Sequence, residues 1–287
     1  MESSFYDSFP EYRGYEFYIR SKLVYPLDYY FAGLKITSGK DSGRGLLFSL
    51  TAGGSFDDPE EEMTDDDWIG YKPSDSYLVW QKIQSTESES EFKMFSVSAE
   101  TSLRGVTFLG FPVLAGLSFD FNAMWWDIYG FKGYAYDEMG NEVFGYMSSS
   151  KNVLDYNISI FRSLFFFEWT LLDEGKVFFD LEGGIVPFSA AVDRDDHILR
   201  KKESEVLSTG WGWKAGGALT VEVLPKWSLG GSVEMERLFL SGDMTQTYYG
   251  DDPGFTGDET GTVYGGILTE LVYSNIFFEI KFNRSIR

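Results

Sequence analysis

The chain has one histidine, His197, and carboxylates stand close to it on its N-terminal side. It directly follows the run Asp193-Arg194-Asp195-Asp196. Side chains alternate between the two faces of an extended strand, so Asp195 and His197 point to the same side. A carboxylate that orients an imidazole and stabilises its charged form makes a general base near neutral pH. The two residues are a candidate base, although most lone histidines are incidental.

A second acidic element is Met63-Thr64-Asp65-Asp66-Asp67-Trp68, which closes a stretch of carboxylates that begins at Asp57. On an extended segment Asp65 and Asp67 lie on one side. Two close carboxylates repel each other, so one of them tends to hold a proton, and such a pair can bind a water molecule. The alternative is a solvated acidic loop or a loose calcium site. The spacing does not match the Asp-x-Asp-x-Asp-Gly calcium loop.

Other chemistries lack the residues that they need. The chain contains no cysteine, which excludes disulfides, thiolate metal ligands and a cysteine nucleophile. One histidine supplies too few nitrogen ligands for zinc. The sequence contains neither the Gly-x-Ser-x-Gly element of serine hydrolases nor a phosphate-binding glycine loop. We therefore expect neither a metal nor a cofactor.

The elements that must position these residues are β-strands. Apolar and polar residues alternate with a period of two over long stretches. From Val113 to Trp125 every second residue is apolar, while Ser118, Asp120 and Asn122 between them are polar. Charged residues recur on the polar face of several such stretches. A membrane barrel has this pattern, because one face meets lipid and the other faces a polar lumen.

The spacing of the breaks favours a membrane barrel over a soluble sheet. Segments between breaks run for roughly 11–24 residues, whereas strands of soluble sheets have about 5–6. Short breaks alternate with long polar ones, which is typical of outer-membrane barrels with short periplasmic turns and long extracellular loops. The short breaks are 38–45, 109–112, 172–176 and 224–226, and the long ones are 56–91, 129–150, 193–205 and 241–261.

The predicted fold is therefore all-β: a single domain over residues 1–287 that forms an antiparallel transmembrane β-barrel. We expect about ten strands, since bacterial barrels have an even number, and a first strand that is cut short. No apolar run reaches the roughly 18 residues that a membrane-spanning helix needs.

The charge of the chain bears on its partners. There are 45 Asp and Glu residues against 24 Lys and Arg, a formal net charge of −21. Nucleic acid is an unsuitable partner because phosphate binding requires positive charge. An acidic rim attracts cationic partners, although acidic loops can also serve solubility alone.

The two acidic elements resemble those of the omptins, a family of outer-membrane peptidases. Asp65-Asp66-Asp67-Trp68 is similar to their Asp-x-Asp-Trp element, and Asp195-Asp196-His197 resembles their second catalytic element, Asp-x-His. The order and separation of the two elements also fit, and omptins are barrels with the site at the extracellular mouth. Weaker similarity is found in Ser21–Pro26 and in Ser85–Ser88.

This resemblance implies an endopeptidase that forms no covalent intermediate. His197, oriented by Asp195, would take a proton from a water molecule. Asp65 and Asp67, which share a proton, would hold that water and stabilise the oxyanion of the tetrahedral intermediate. The protein would be a monomer in the outer membrane, in contact with its lipid, with the site on the extracellular side.

The resemblance also implies specificity for peptide or protein substrates with basic residues. Asp193 would contribute to the primary pocket, together with a glutamate for which Glu11 and Glu16 are candidates. Omptins carry basic residues that bind lipid A phosphates. The corresponding stretch 119–126 contains neither Arg nor Lys, so the resemblance does not extend to lipopolysaccharide binding at this stretch.

Two other functions are compatible with the same barrel. A non-catalytic adhesin, receptor or structural protein could have kept the site residues by descent. A pore is the third possibility, although a barrel of this size has a narrow lumen that Glu222, Glu234 and Glu236 could fill together with lysine partners.

Overall fold

The structure is a computed structural model. It describes residues 2–12, 15–25, 29–39, 45–57, 61–71, 78–108, 110–137, 139–148, 152–198, 201–249 and 261–282. Among these residues no helix is long and apolar enough to cross a membrane. The strand segments are β1 (Glu2–Tyr12), β2 (Tyr15–Val24), β3 (Tyr30–Gly39), β4 (Gly45–Asp57), β5 (Glu61–Tyr71), β6 (Val79–Phe108), β7 (Phe111–Tyr136), β8 (Glu142–Ser148), β9 (Leu154–Glu174), β10 (Val177–His197), β11 (Lys202–Leu224), β12 (Trp227–Tyr248) and β13 (Gly261–Phe282).

All of these segments belong to one antiparallel sheet, which confirms the predicted all-β class. Their order is β3-β4-β6-β5-β2-β1-β13-β12-β11-β10-β9-β7-β8, with a further pairing between β6 and β7. The described part of the chain thus has thirteen strand segments, so the expected count of about ten is wrong.

The higher count arises because β5 and β8 lie in stretches that the sequence indicates as loops, and because the stretch before the first break contains both β2 and β3. β4 and β5 pair with successive parts of β6, which is 30 residues long. β4 also pairs with β3, and β5 also pairs with β2. The sequence between β2 and β3 contains Pro26, and that between β4 and β5 contains Pro59. Proline has no N–H to donate, so a continuous ladder is disfavoured at both places.

The sheet is not closed around its whole height, contrary to the predicted complete barrel. β1 pairs with β2 on one side and, through Glu2–Tyr6, with Leu268–Val272 of β13 on the other. Beyond Val272, the described part of β13 pairs only with β12, and β3 pairs only with β4. All ten residues of β3 are exposed. A gap therefore separates β3 from the last part of β13.

The short connections from β6 to β7, from β9 to β10 and from β11 to β12 lie at one end of the sheet, which we call the turn end; the opposite end is the mouth end. The second and third of these are two-residue turns, at 175–176 and 225–226. Gly110 and Gly175 have φ angles of 86° and 68°, which glycine adopts without a steric penalty. The turns coincide with three of the short breaks that the sequence indicates.

Within the described residues, three of the predicted long loops at the mouth end, 56–91, 129–150 and 193–205, are largely strand, so the expectation is wrong for them. β5 lies inside the predicted loop 56–91, and β8 lies inside 129–150. β10 continues to His197, and only residues 198–201 separate it from β11. Where both faces of a strand are polar the hydrophobic alternation disappears, although the backbone hydrogen bonds of the ladder continue.

The outer face of the sheet carries an apolar band. Its exposed side chains include Leu34, Ile36, Phe48, Leu50, Phe119, Phe165, Ile185, Leu219, Val233, Ile276 and Phe278. Towards the mouth end the band stops at an outward ion pair, in which Lys93 Nζ lies 3.1 Å from Asp127 Oδ2. Both acidic elements with candidate catalytic residues belong to the mouth side of the sheet.

The inner face carries buried ionic contacts. Arg162 forms ion pairs with Asp120 and with Glu236, whose side chain is 2% exposed. Lys214 Nζ lies 2.8 Å from Glu234 Oε2. Glu234 therefore has the lysine partner that the sequence indicates, whereas the partner of Glu236 is an arginine. A cavity of about 240 Å³ borders Asp120, Arg162 and Lys214.

Candidate active site

The first half of the site lies on β5, beside β2. In the ladder Asp65 is opposite Leu23, and Asp67 is opposite Ser21. Ser21 Oγ is 2.6 Å from Asp67 Oδ1 and 3.2 Å from Asp65 Oδ1, so one hydroxyl bridges the two carboxyl groups. Gln84 Nε2 donates to the other oxygen of Asp67 at 3.1 Å. Asp65 and Asp67 thus lie on one side, as alternation requires.

Burial and like charge favour the protonated form of Asp65. β5 pairs with residues 79–90 of β6, on the mouth side of Lys93 and outside the apolar band. Desolvation raises the pKa of Asp65 well above its ordinary value, and the negative charge of Asp67 raises it further. Ser21 Oγ is the donor in its contacts with both carboxyl groups, and its hydrogen bond lowers the pKa of Asp65, in opposition to burial.

Asp66 belongs to a different environment. Its carboxylate lies 2.5 Å from Lys82 Nζ and accepts a hydrogen bond of the same length from Ser85. Because a lysine neutralises it on the opposite face of β5, Asp66 takes no part in the carboxyl pair.

The second half of the site is the end of β10. His197 Nε2 lies 2.8 Å from Asp195 Oδ2, and both side chains are partly buried. Since Nε2 faces the carboxylate, Nδ1 is the nitrogen that can accept a proton from a water molecule. Asp195 Oδ1 is buried and has no hydrogen-bond partner among the described residues. Asp196 points elsewhere and accepts a 2.6 Å hydrogen bond from the Tyr249 hydroxyl.

Asp193, the residue expected in the primary pocket, is covered. Asp193 is only 4% exposed, and its carboxyl group accepts a 2.8 Å hydrogen bond from the Tyr156 hydroxyl. The side chains of the two candidate partners, Glu11 and Glu16, lie outside the described part of the structure.

The two halves of the site act on each other electrostatically. The charge of Asp195 contributes to the raised pKa of Asp65, although the strands that carry them are distant in sequence. Sequence reasoning missed the bridging role of Ser21 and the cover that Tyr156 provides. Only Ser21 left a signal, since it lies in a segment with weak similarity to the omptins.

Chemically, the arrangement supports acid–base work on a water molecule. It combines an imidazole–carboxylate pair with two carboxyl groups that share a hydroxyl contact, and these can exchange protons with a bound substrate. In the described ranges no group of three or more His, Asp or Glu residues is arranged to hold a metal ion.

Comparison with known proteins supports the fold. The chain is similar to the crystal structure of the outer membrane protease OmpT from Escherichia coli, with a TM-score of 0.65. The match covers 98% of this chain and 92% of that chain, at 10% sequence identity. At this identity the similarity shows an all-β antiparallel fold resembling that of the protease. No protein-family model matches the chain, and no curated protein matches it.

The Ser21 bridge leads to a prediction about the proton on Asp65. The Ser21 hydrogen bond lowers the pKa of Asp65 and so opposes desolvation. In Ser21→Ala we expect the pKa of Asp65 to rise further, so that its protonated carboxyl persists to higher pH. Infrared spectroscopy of the carboxyl C=O stretch would show this, with Asp65→Asn to assign the band.

Ser85→Ala is the matched control for this measurement. It removes a hydroxyl that donates a hydrogen bond to a carboxylate of the same strand, β5, but this carboxylate is that of Asp66. An equal shift of the Asp65 band in the two variants would contradict a specific bridge.

Proposed function

We propose that this protein is an outer-membrane endopeptidase that hydrolyses peptide bonds with water activated by His197 and Asp195, opposite the carboxyl pair Asp65 and Asp67. The observation that carries the proposal is the contact of the single histidine with Asp195 on the same side of the sheet as that pair. The similarity in fold to an outer membrane protease supports it.

The proposed membrane form is a barrel that closes at the mouth end. In support, the pairings run in a circuit of ten segments, β6-β5-β2-β1-β13-β12-β11-β10-β9-β7, and β7 pairs again with β6. The apolar band would face lipid, and the ionic contacts of the inner face would fill the lumen. Two-residue turns are typical of the periplasmic end, so we assign the site to the extracellular end.

The proposed reaction begins with a water molecule between the two pairs. His197 Nδ1 accepts a proton from the water as its oxygen attacks the peptide carbonyl, and Asp195 stabilises the resulting imidazolium. The proton held by Asp65 and Asp67 is donated in a hydrogen bond to the oxyanion. The C–N bond then breaks, and the imidazolium returns its proton to the leaving amine.

A preference for basic residues belongs to the same proposal. Its support is the strongly acidic chain, with a net charge of −21, and the position of Asp193 two residues before Asp195. Burial raises the pKa of Asp193 to about 8, so a guanidinium or ammonium group that replaced the Tyr156 hydroxyl would also favour the ionised form of this carboxyl group. A charged partner makes the stronger hydrogen bond.

The experiment is a peptide panel that differs at one residue. With lipid-reconstituted protein we expect internal cleavage next to Arg or Lys. In Asp193→Asn, kcat/KM for the Arg peptide should fall by roughly 10- to 100-fold, because a hydrogen bond to a charged group contributes about 1.5–3 kcal/mol.

A matched peptide with leucine in place of arginine is the control, and its cleavage should respond little to Asp193→Asn. An equal loss of kcat/KM on both peptides would refute the assignment of Asp193 to the pocket, but it would not refute the peptidase activity. Absence of cleavage of the whole panel by the unchanged protein would refute the proposed function itself.

A further inference from the structure

The segment from Ser21 to Tyr25 physically connects the two halves of the candidate site. At its start, the Ser21 hydroxyl contacts both carboxyl groups of the Asp65–Asp67 pair. At its end, Tyr25 directly follows β2 and is 1% exposed. Five consecutive residues thus extend from the carboxyl pair into the buried interior.

Aromatic contacts fix the ring of Tyr25 at that place. It stacks on Tyr156 with a centroid distance of 4.7 Å and an interplanar angle of 15°. The centroid of Trp126, a fully buried residue, is 4.6 Å away. Tyr156 is in turn the cross-strand neighbour of Asp195 and donates its hydroxyl to Asp193. The Tyr25 ring therefore packs directly against Tyr156, which contacts Asp193 on the strand that carries His197.

Acidic groups from both halves of the site act on Tyr25. They are Asp65 of β5 and Asp193 and Asp195 of β10, while the ring of Tyr156 of β9 stacks on Tyr25. Burial raises the pKa of Tyr25 well above its ordinary value, and the charges of Asp195, Asp193 and Asp65 raise it further. The phenol is consequently protonated at neutral pH.

We propose that Tyr25 is a positioning residue of the cleft: its ring sets the spacing between the two catalytic pairs, and its hydroxyl offsets the charge of the surrounding carboxylates. The consequence for catalysis rests on the proposed peptidase function. The effect on the electrostatics of His197 does not depend on it.

The single histidine makes a direct test possible, because the imidazole resonances in an NMR spectrum belong to His197 alone. Tyr25→Phe keeps the stacked ring and removes the dipole, so the full carboxylate charge acts on the imidazole. We expect the pH midpoint of the His197 resonance to move upward, the direction in which less compensated negative charge acts. Tyr134→Phe, which removes a hydroxyl on β7, is the control.

Kinetics separate the ring from the hydroxyl. Tyr25→Leu should lower kcat by about tenfold or more through misplacement of the two pairs. Tyr25→Phe should instead displace the pH profile of kcat while leaving its maximum within a few-fold of the unchanged protein.

A His197 titration that is identical in Tyr25→Phe, Tyr134→Phe and the unchanged protein would overturn the role of the hydroxyl. Full kcat in Tyr25→Leu would overturn the role of the ring. If the unchanged protein cleaves no peptide, the peptidase proposal fails, and the NMR titration still decides whether Tyr25 controls the site. A Tyr25→Leu variant that does not fold leaves the Tyr25→Phe titration as the deciding measurement.

Discussion

Replacing His197 with alanine should lower kcat for peptide cleavage by about 10³-fold or more, since a positioned general base contributes roughly 10²–10⁴-fold and no second histidine can substitute. KM should change little, because the imidazole acts on water and does not bind the substrate side chains. Cleavage of an arginine-containing peptide by lipid-reconstituted protein is the measurement.

Two variants of the same strand sharpen this test. Asp195→Asn leaves the imidazole in place but removes the charge 2.8 Å from it, so we expect a large fall in kcat as well. Arg194→Ala is the control, since Arg194 points to the other face and pairs with Glu203. Undiminished cleavage by His197→Ala would exclude the proposed mechanism, and an equal loss in Arg194→Ala would indicate general damage to β10.

Replacing Arg162 with methionine should destabilise the protein by about 3–5 kcal/mol, the usual cost of removing one partner from a buried ion pair. Arg162 is the cation between Asp120 and Glu236 on the inner face. Without it two largely buried carboxyl groups lose their compensating charge. Unfolding by urea in detergent micelles, followed by tryptophan fluorescence, would measure the change in the free energy of unfolding.

The outward ion pair of Lys93 and Asp127 provides the control. The two side chains are 62% and 38% exposed, so Lys93→Met should cost only about 0–1 kcal/mol. Arg162→Lys should lie between the two, because it keeps the charge but loses the planar guanidinium. Equal stability of Arg162→Met and Lys93→Met would show that the inner ionic contacts contribute no more than surface ones.

The strand class and its apolar face could be predicted from sequence because both are local properties. The alternation from Val113 to Trp125 is realised in β7, where Phe119 is exposed on the outer face and Asp120 is buried on the inner face. The short turns were equally visible, since glycine marks two of them. Such patterns depend on neighbours within a few residues and need no knowledge of the fold.

The strand count and the mouth end could not be predicted in the same way. The sequence indicates loops where β5 and the end of β10 continue the sheet, because polar residues on both faces erase the alternation that reveals a strand. The incomplete closure between β3 and β13 depends on which segments pair, and this is a property of the whole sheet.

For the candidate site, the two local pairs follow from sequence alone. Asp65 with Asp67, and Asp195 with His197, are two residues apart, and the period of a strand places each pair on one side. The surroundings of these pairs depend on the folded sheet. Ser21 reaches the carboxyl pair across 44 and 46 residues of sequence, and Tyr156 reaches Asp193 across 37. These contacts follow from ladder register, which pairs residues that no local pattern connects.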